Sequence, residues 1–100
     1  MTKKERLRLN TIHVMGMVQK NFDVSTDFYD DEGHGYFTFG VMKDGVEYYF
    51  DLSRRDFSII SHKIRGEKGY NEGRELEQEL ETFIKNELVI SNARIDNMIE

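Results

Sequence analysis

An alternating run of residues, YFTFGVMKDGVEYYFDL (36–52), constrains the fold most strongly. Alternation of apolar with polar residues is typical of strands that bury one face. The Asp44-Gly45 pair in the middle tolerates the positive φ angles of a tight hairpin turn. The sequence therefore predicts two antiparallel strands joined at this pair. One face would carry Phe37, Phe39, Val41, Val46, Tyr48, Phe50 and Leu52, and the other Tyr36, Thr38, Met42, Glu47, Tyr49 and Asp51.

Further strands are predicted on either side of this hairpin. Val24, Thr26 and Phe28 alternate with Ser25, Asp27 and Tyr29. Residues 57–64 fit either a short helix or a strand, and the β-branched content of SIISHKI favours a strand. Strand starts near 24, 35, 46 and 57 are evenly spaced, as expected for an antiparallel meander of three or four strands.

An N-terminal helix is predicted to precede the sheet. Thr2 and Glu5 have the spacing of a capping box, in which each side chain binds a backbone N–H of the other residue. Helical spacing then continues for about five turns. The apolar stripe consists of Leu7, Thr11, Val14, Met15, Val18 and Phe22. Three apolar residues lie off this stripe and imply a second buried face or an interface: Leu9, Ile12 and Met17.

A C-terminal helix is predicted to begin near Glu72, with Asn71 as its N-cap. Its apolar stripe consists of Leu76, Leu80, Phe83 and Ile84. Asn92 is expected to end it, which leaves a short final helix with Ile95, Met98 and Ile99.

Together these elements predict a single α+β domain over residues 1–100, with the helices covering the Phe and Val face of the sheet. A 38% hydrophobic content is too high for a disordered chain. The chain has no cysteine, so it must fold by packing alone, and we expect a reducing, cytoplasmic setting. Asn10, His13 and Gly16 interrupt the apolar part of the N-terminus, so we expect neither a signal peptide nor a membrane span.

The acidic stretch YDDEGHGYF (29–37) is a candidate metal site. It lacks the ligand spacing of an EF-hand calcium loop. A zinc site needs three or four nitrogen or sulfur ligands, and His13 and His62 lie on other elements than His34. We therefore interpret the stretch as a turn and contact surface, and we expect no metal and no cofactor.

Catalytic motifs are also missing from the sequence. No serine lies in a nucleophile elbow, and no cysteine nucleophile exists. No carboxylate has an apolar setting that would clearly raise its pKa for acid catalysis. We therefore expect a protein that is not an enzyme.

Charge is arranged in blocks along the chain, although the net charge is −5. Residues 1–20 hold five bases against one acid, and residues 21–53 hold eight acids against one base. Residues 54–74 hold six bases against three acids, and residues 75–100 hold seven acids against two bases. Such blocks are common on solvated surfaces, but they also steer charged partners.

Tyrosines and carboxylates coincide on the face of the sheet that the helices leave free. Tyrosine is enriched at protein interfaces, and carboxylates along a strand can meet a row of Arg or Lys. A solvated face with cross-strand tyrosine pairs would have the same composition. The candidate partner-binding residues are Asp27, Tyr29, Asp30, Asp31, Glu32, Tyr36, Glu47, Tyr49 and Asp51, together with Glu75 and Glu79.

Three segments of the chain resemble small inhibitor proteins of phages and mobile elements, in particular anti-CRISPR inhibitors of Cas9. They are FDVSTDFYDDEGHG, KDGVEYYFDL and ELEQELETFIKNEL. The likeness lies in composition and element order, and the basic N-terminal helix departs from a uniformly acidic mimic. The resemblance implies a DNA mimic that presents carboxylates to the basic cleft of a nucleic-acid-handling protein in the bacterial cytoplasm.

Two alternatives remain open at this point. A nucleic-acid-binding protein could use the basic residues Lys3, Lys4, Arg6, Arg8, Arg54, Arg55, Lys63, Arg65 and Lys68. A homo-oligomeric structural protein could use Leu9, Ile12, Met17, Ile95, Met98 and Ile99.

Overall fold

The computed structural model describes the backbone of residues 1–31, 35–61 and 70–99, and their side chains except those of residues 27–31, 61, 70–72 and 99. Two helices and four strands form an α+β fold, as the sequence predicted. In chain order the elements are α1 (Lys3–Asn21), β1 (Val24–Asp31), β2 (Tyr36–Lys43), β3 (Val46–Ser53), β4 (Ile59–Ser61) and α2 (Tyr70–Ile99).

Helix α1 begins where the capping signal predicts. The Thr2 side chain accepts a hydrogen bond from the Glu5 backbone N–H at 3.1 Å, which satisfies one of the free donors of the first turn. Val14 and Val18 of the predicted stripe are fully buried. Asn10 is buried as well, at 6% exposure, which the sequence did not indicate.

The four strands form an antiparallel meander in the order β1-β2-β3-β4. Asp44 and Gly45 both have positive φ, 52° and 78°, as the predicted hairpin turn requires. Burial alternates in the predicted register from Tyr36 to Phe39 and from Tyr48 to Ser53. Val46, predicted for the buried face, is 42% exposed at the hairpin end of β3, and Gly40 is buried between two buried neighbours. The strand interpretation of the fourth segment is confirmed over Ile59–Ser61, while residues 62–64 lie outside the described residues.

Strand β1 departs from the simple alternation. Its register against β2 shifts twice, between Val24 and Thr26 and between Thr26 and Tyr29. Each shift adds one residue to β1, as a β-bulge does. Thr26 consequently points to the face opposite Val24, where its hydroxyl lies 3.4 Å from a Glu47 carboxylate oxygen. The prediction that Val24 and Thr26 share a face was therefore wrong.

Helix α2 is a single helix of 30 residues, without the predicted break at Asn92. The Asn92 side chain does not compete for the helix backbone, because its Oδ1 accepts hydrogen bonds from Arg6 at 3.0 Å and Asn10 at 3.1 Å. The segment with Ile95 thus continues α2 and forms no separate helix. Asn71 lies inside the first turn, so it is not the N-cap.

The core lies between the two helices and one face of the sheet, which we call the inner face. Helices α1 and α2 are antiparallel, since Arg6 contacts Asp96 near one end and Phe22 packs edge-on against Phe83 near the other, with ring centroids 5.2 Å apart. The core residues are Val14, Val18, Phe37, Phe39, Val41, Tyr48, Phe50, Leu52, Phe57, Ile59, Leu76, Leu80 and Ile84. Neither α1 nor α2 is long and apolar enough over its described residues to cross a lipid bilayer.

Candidate functional site

The opposite side of the sheet, which we call the outer face, has neither helix packed on it. Adjacent residues of β3 show this directly, because Tyr48 is 3% exposed whereas Tyr49 is 43% exposed. Ile60, which pairs with Asp51, is 52% exposed. Among the described residues the outer face consists of Ser25, Thr26, Tyr36, Thr38, Gly40, Met42, Glu47, Tyr49, Asp51 and Ile60.

Glu47 is the centre of a hydrogen-bonded cluster on this face. The Tyr49 hydroxyl donates to its Oε1, and the Thr26 hydroxyl approaches its Oε2. The hydroxyl of Ser25 lowers the pKa of Glu47 most, followed by that of Tyr49; desolvation of the carboxylate opposes them, and the Thr26 hydroxyl lowers the pKa further. These donors favour the charged form, so Glu47 presents a fixed negative charge to solvent.

Gly40 makes this cluster possible. It lies on β2, opposite Thr26 on one side and Tyr49 on the other. A Cβ at this position would be 2.8 Å from Ser25 Oγ and 3.1 Å from Thr26 Oγ1. The missing side chain therefore leaves room for hydroxyls of β1 to reach a carboxylate of β3 across the strand between them.

Asp51 is the second described carboxylate of the outer face. Thr38 donates a hydrogen bond to its Oδ1 at 2.7 Å, so the cross-strand neighbour holds it in place. Asp51 lies four positions after Glu47 on an extended strand, a distance of about 13 Å. Tyr36 is half-buried at the same end of the face, opposite Ser53. The face thus combines two positioned negative charges with two tyrosines.

The structure brings together four of the sequence-derived site residues on this face: Tyr36, Glu47, Tyr49 and Asp51. For the acidic segment of β1 only the backbone is described, and it pairs Tyr29 with Thr38, Asp30 with Phe37 and Asp31 with Tyr36. The side-chain predictions for Asp27, Tyr29, Asp30 and Asp31, and the whole of Glu32, lie outside the described residues.

Two site residues do not join the outer face. Glu75 and Glu79 are exposed on α2, in the layer that covers the inner face of the sheet. A partner on the outer face would not contact them, because the sheet and the core lie between.

The residues that sequence reasoning missed are Ser25, Thr26 and Gly40. The sequence feature that indicates this cluster is Gly40 itself, which interrupts a strand otherwise rich in aromatic and β-branched residues. A glycine inside a strand often marks a bulge or a close approach of a neighbouring chain segment.

The apolar residues that a homo-oligomer was predicted to use do not form one exposed surface. Ile95 is buried at 3% exposure, whereas Ile12 is 61% and Met98 is 71% exposed. Leu9 and Met17 are half-buried on α1. The side chain of Ile99 lies outside the described residues.

Among the side chains that the structure describes, no three from His, Cys, Asp or Glu converge as metal ligands would. His13 Nε2 lies 2.8 Å from Glu87 Oε2 in the contact between α1 and α2. That pair joins the two helices. The loop with His34 lies outside the described residues.

No protein-family model matches this chain, and no curated protein or solved structure is significantly similar to it.

Proposed function

We propose that the chain is a non-enzymatic binding protein that uses the outer face of its sheet to contact a basic site on a nucleic-acid-handling protein. The observation that supports this most is the exposed Tyr49 beside the hydrogen-bonded carboxylate of Glu47. A broad aromatic ring and a fixed negative charge are the groups that an arginine side chain packs on and pairs with.

The hydrogen bonds around Glu47 favour such a contact. A surface carboxylate normally loses side-chain entropy when it pairs with a cation, which reduces the net gain. Glu47 is already held by Tyr49 and by hydroxyls of β1, so less freedom is lost when a partner binds. Asp51, held by Thr38, offers a second anionic contact along the same strand.

Cas9 with its guide RNA is the first partner to test, because the acidic segments of the chain resemble anti-CRISPR inhibitors of that enzyme. In this proposal the outer face occupies the cleft that otherwise binds the PAM duplex, and inhibition results from competition with phosphates. The chain would then act in the cytoplasm of a bacterial host. The basic residues of α1 confine any mimicry to one side of the molecule.

The test is competition between the chain and a PAM-containing DNA duplex for Cas9 bound to guide RNA, followed by fluorescence anisotropy of the labelled duplex. The wild-type chain is expected to displace the duplex, and added salt is expected to weaken its binding, since screening reduces exposed charge pairs. The double variant Glu47→Lys/Tyr49→Ala is expected to lose competition at least about tenfold, the effect of losing one interfacial contact of about 1.4 kcal/mol.

Glu79→Lys is the matched control, because it makes the same charge reversal on α2, in the layer away from the outer face. It is expected to compete like the wild type. Failure of the wild-type chain to displace the duplex would refute the proposal for this partner. Equal losses in Glu79→Lys and the outer-face variant would refute the assignment of the surface.

A further inference from the structure

A second surface of the molecule has the opposite charge. Two adjoining grooves, of about 780 and 610 Å³, run between the first turns of α1 and the turn that follows β3. Leu7 and Arg54 line both, so the grooves share a wall. Five cationic residues from distant parts of the sequence line them: Lys3, Lys4, Arg8, Arg54 and Arg55.

Hydrogen bonds to Gly35 and Ser53 fix the backbone of the turn that carries the two arginines. The Arg54 N–H donates to the Gly35 carbonyl at 2.9 Å, and the Arg55 N–H donates to Ser53 Oγ at 3.2 Å. The Arg54 guanidinium lies over the Phe37 ring, 5.1 Å from its centroid. Such a cation–π contact restrains the guanidinium at the groove wall.

The α1 side of the grooves is set by the helical repeat. Lys4 and Arg8 are one turn apart and lie on one side of the helix. Arg6 lies on another side and pairs with Asp96 of α2 at 2.6 Å. Arg6 therefore belongs to the contact between the helices, whereas Lys4 and Arg8 line the groove.

The acids among the described lining residues are fewer than the bases: Glu5 and Asp56. Asp56 is turned toward its own loop, where Oδ1 accepts a hydrogen bond from the Ser58 N–H at 3.0 Å. The backbone and hydroxyl of Ser58, and then the hydroxyl of Ser53, lower the pKa of Asp56. Asp56 therefore stays ionised and is held by its own loop. Five cations against two carboxylates leave the described lining of the grooves net positive.

We propose that these grooves bind single-stranded nucleic acid, with phosphates on Lys4, Arg8 and Arg55 and a base against Tyr36. Tyr36 lines the larger groove beside Arg54 and is half-buried, so its ring is restrained but accessible. A positive groove with an aromatic side chain is the usual arrangement for unpaired strands, whose bases can stack on it. A duplex keeps its base faces covered, and an acidic peptide or an anionic membrane has no bases to stack.

This inference does not depend on the proposed protein partner. The outer-face cluster at Glu47 and the cationic groove residues are separate sets, so each can be changed alone. Tyr36 belongs to both surfaces, because it lies on the outer face and also lines the larger groove. A chain with both surfaces would contact a protein and its bound nucleic acid together.

The test is fluorescence anisotropy of a labelled 12-nucleotide oligothymidine with the full chain over a series of salt concentrations. The variant Lys4→Glu/Arg55→Glu is expected to bind at least about tenfold more weakly, and to reduce the slope of log K against log salt by about 1.4, since each phosphate contact with a single strand contributes about 0.7. Tyr36→Leu is expected to weaken binding without changing the slope, because stacking does not depend on salt in this way.

The matched control is Lys20→Glu/Lys85→Glu, which changes the net charge equally at exposed positions outside the grooves. It and Glu47→Lys are expected to bind like the wild type. Equal weakening in the Lys20→Glu/Lys85→Glu variant would overturn the groove assignment. Equally tight binding of duplex DNA, a polyglutamate peptide or phosphatidylserine vesicles would overturn the single-strand assignment, and so would an unchanged affinity in Tyr36→Leu.

Discussion

Replacing Gly40 with alanine is expected to destabilise the protein because of the two β1 hydroxyls above it. The new Cβ would lie 2.8 Å from Ser25 Oγ and 3.1 Å from Thr26 Oγ1, closer than van der Waals contact allows. Overpacking of this kind costs about 1–3 kcal/mol. Glycine inside a strand is itself about 0.5–1 kcal/mol worse than alanine, which offsets part of that cost. We therefore expect a net loss of about 1 kcal/mol, or roughly 4–8 °C in Tm.

Repeating the Gly40→Ala change in a Ser25→Ala protein tests whether the Ser25 hydroxyl causes the loss of stability. Ser25→Ala removes the nearest oxygen, so Gly40→Ala in that background is expected to be neutral or to stabilise by about 0.5 kcal/mol. The four proteins of this double-mutant cycle are compared by thermal unfolding followed with circular dichroism. The packing described for this site would be refuted if Gly40→Ala changed Tm equally in the wild-type and Ser25→Ala proteins. It would also be refuted if Gly40→Ala stabilised the wild-type protein.

Three further changes test other parts of the structure. Leu80→Ala removes a fully buried side chain and is expected to lower the free energy of unfolding by about 2–5 kcal/mol in urea titrations; a loss below about 1 kcal/mol would contradict its place in the core. Asn92→Ala leaves donors of α1 without their acceptor and is expected to cost about 1–3 kcal/mol, whereas Asn86→Ala at an exposed position of the same helix should cost less than about 0.5 kcal/mol. Glu47 is expected to titrate below the ordinary glutamate range in carboxyl ¹³C NMR. Because its folded-state pKa is lowered, its contribution to stability is present above the unfolded-state pKa and is lost as pH falls through the folded-state pKa. Ser25→Ala should raise this pKa, and an unchanged titration would argue against the hydroxyl contact.

Much of the fold could be predicted because local signals and tertiary structure agree. Thr2 caps α1 as its spacing with Glu5 indicates, and Asp44-Gly45 forms the hairpin turn. Binary patterning then placed the inner and outer faces of β2 and β3 correctly, because a strand has a strict two-residue period. Neither inference needed information from distant parts of the chain.

The errors arose where distant residues decide the local structure. Asn92 is a poor helix former on its own, but its side chain accepts hydrogen bonds from Arg6 and Asn10, which are more than 80 residues away in sequence. Ser91 similarly donates to Asn10 Oδ1 at 2.7 Å in the buried contact between the helices. Local propensity contains no information about such partners.

The candidate site was predictable in part. Tyr49 and Glu47 were assigned to the outer face from alternation alone, and both lie there. The β1 bulges that bring Ser25 and Thr26 to Glu47 depend on the register between two strands, which alternation within one strand does not determine. The convergence of Arg55 with the start of α1 likewise follows from the packing of the helix against the sheet.

The most direct test of the open outer face compares two adjacent tyrosines. Tyr48 and Tyr49 share the same strand and local sequence, but the structure buries the first and exposes the second. Tetranitromethane nitrates accessible tyrosine rings, and peptide mass spectrometry of the folded protein locates the modified residues. The structure predicts rapid nitration at Tyr49 and protection at Tyr48. Protection of both rings would contradict the account, because the outer face would then be covered and closed to a partner.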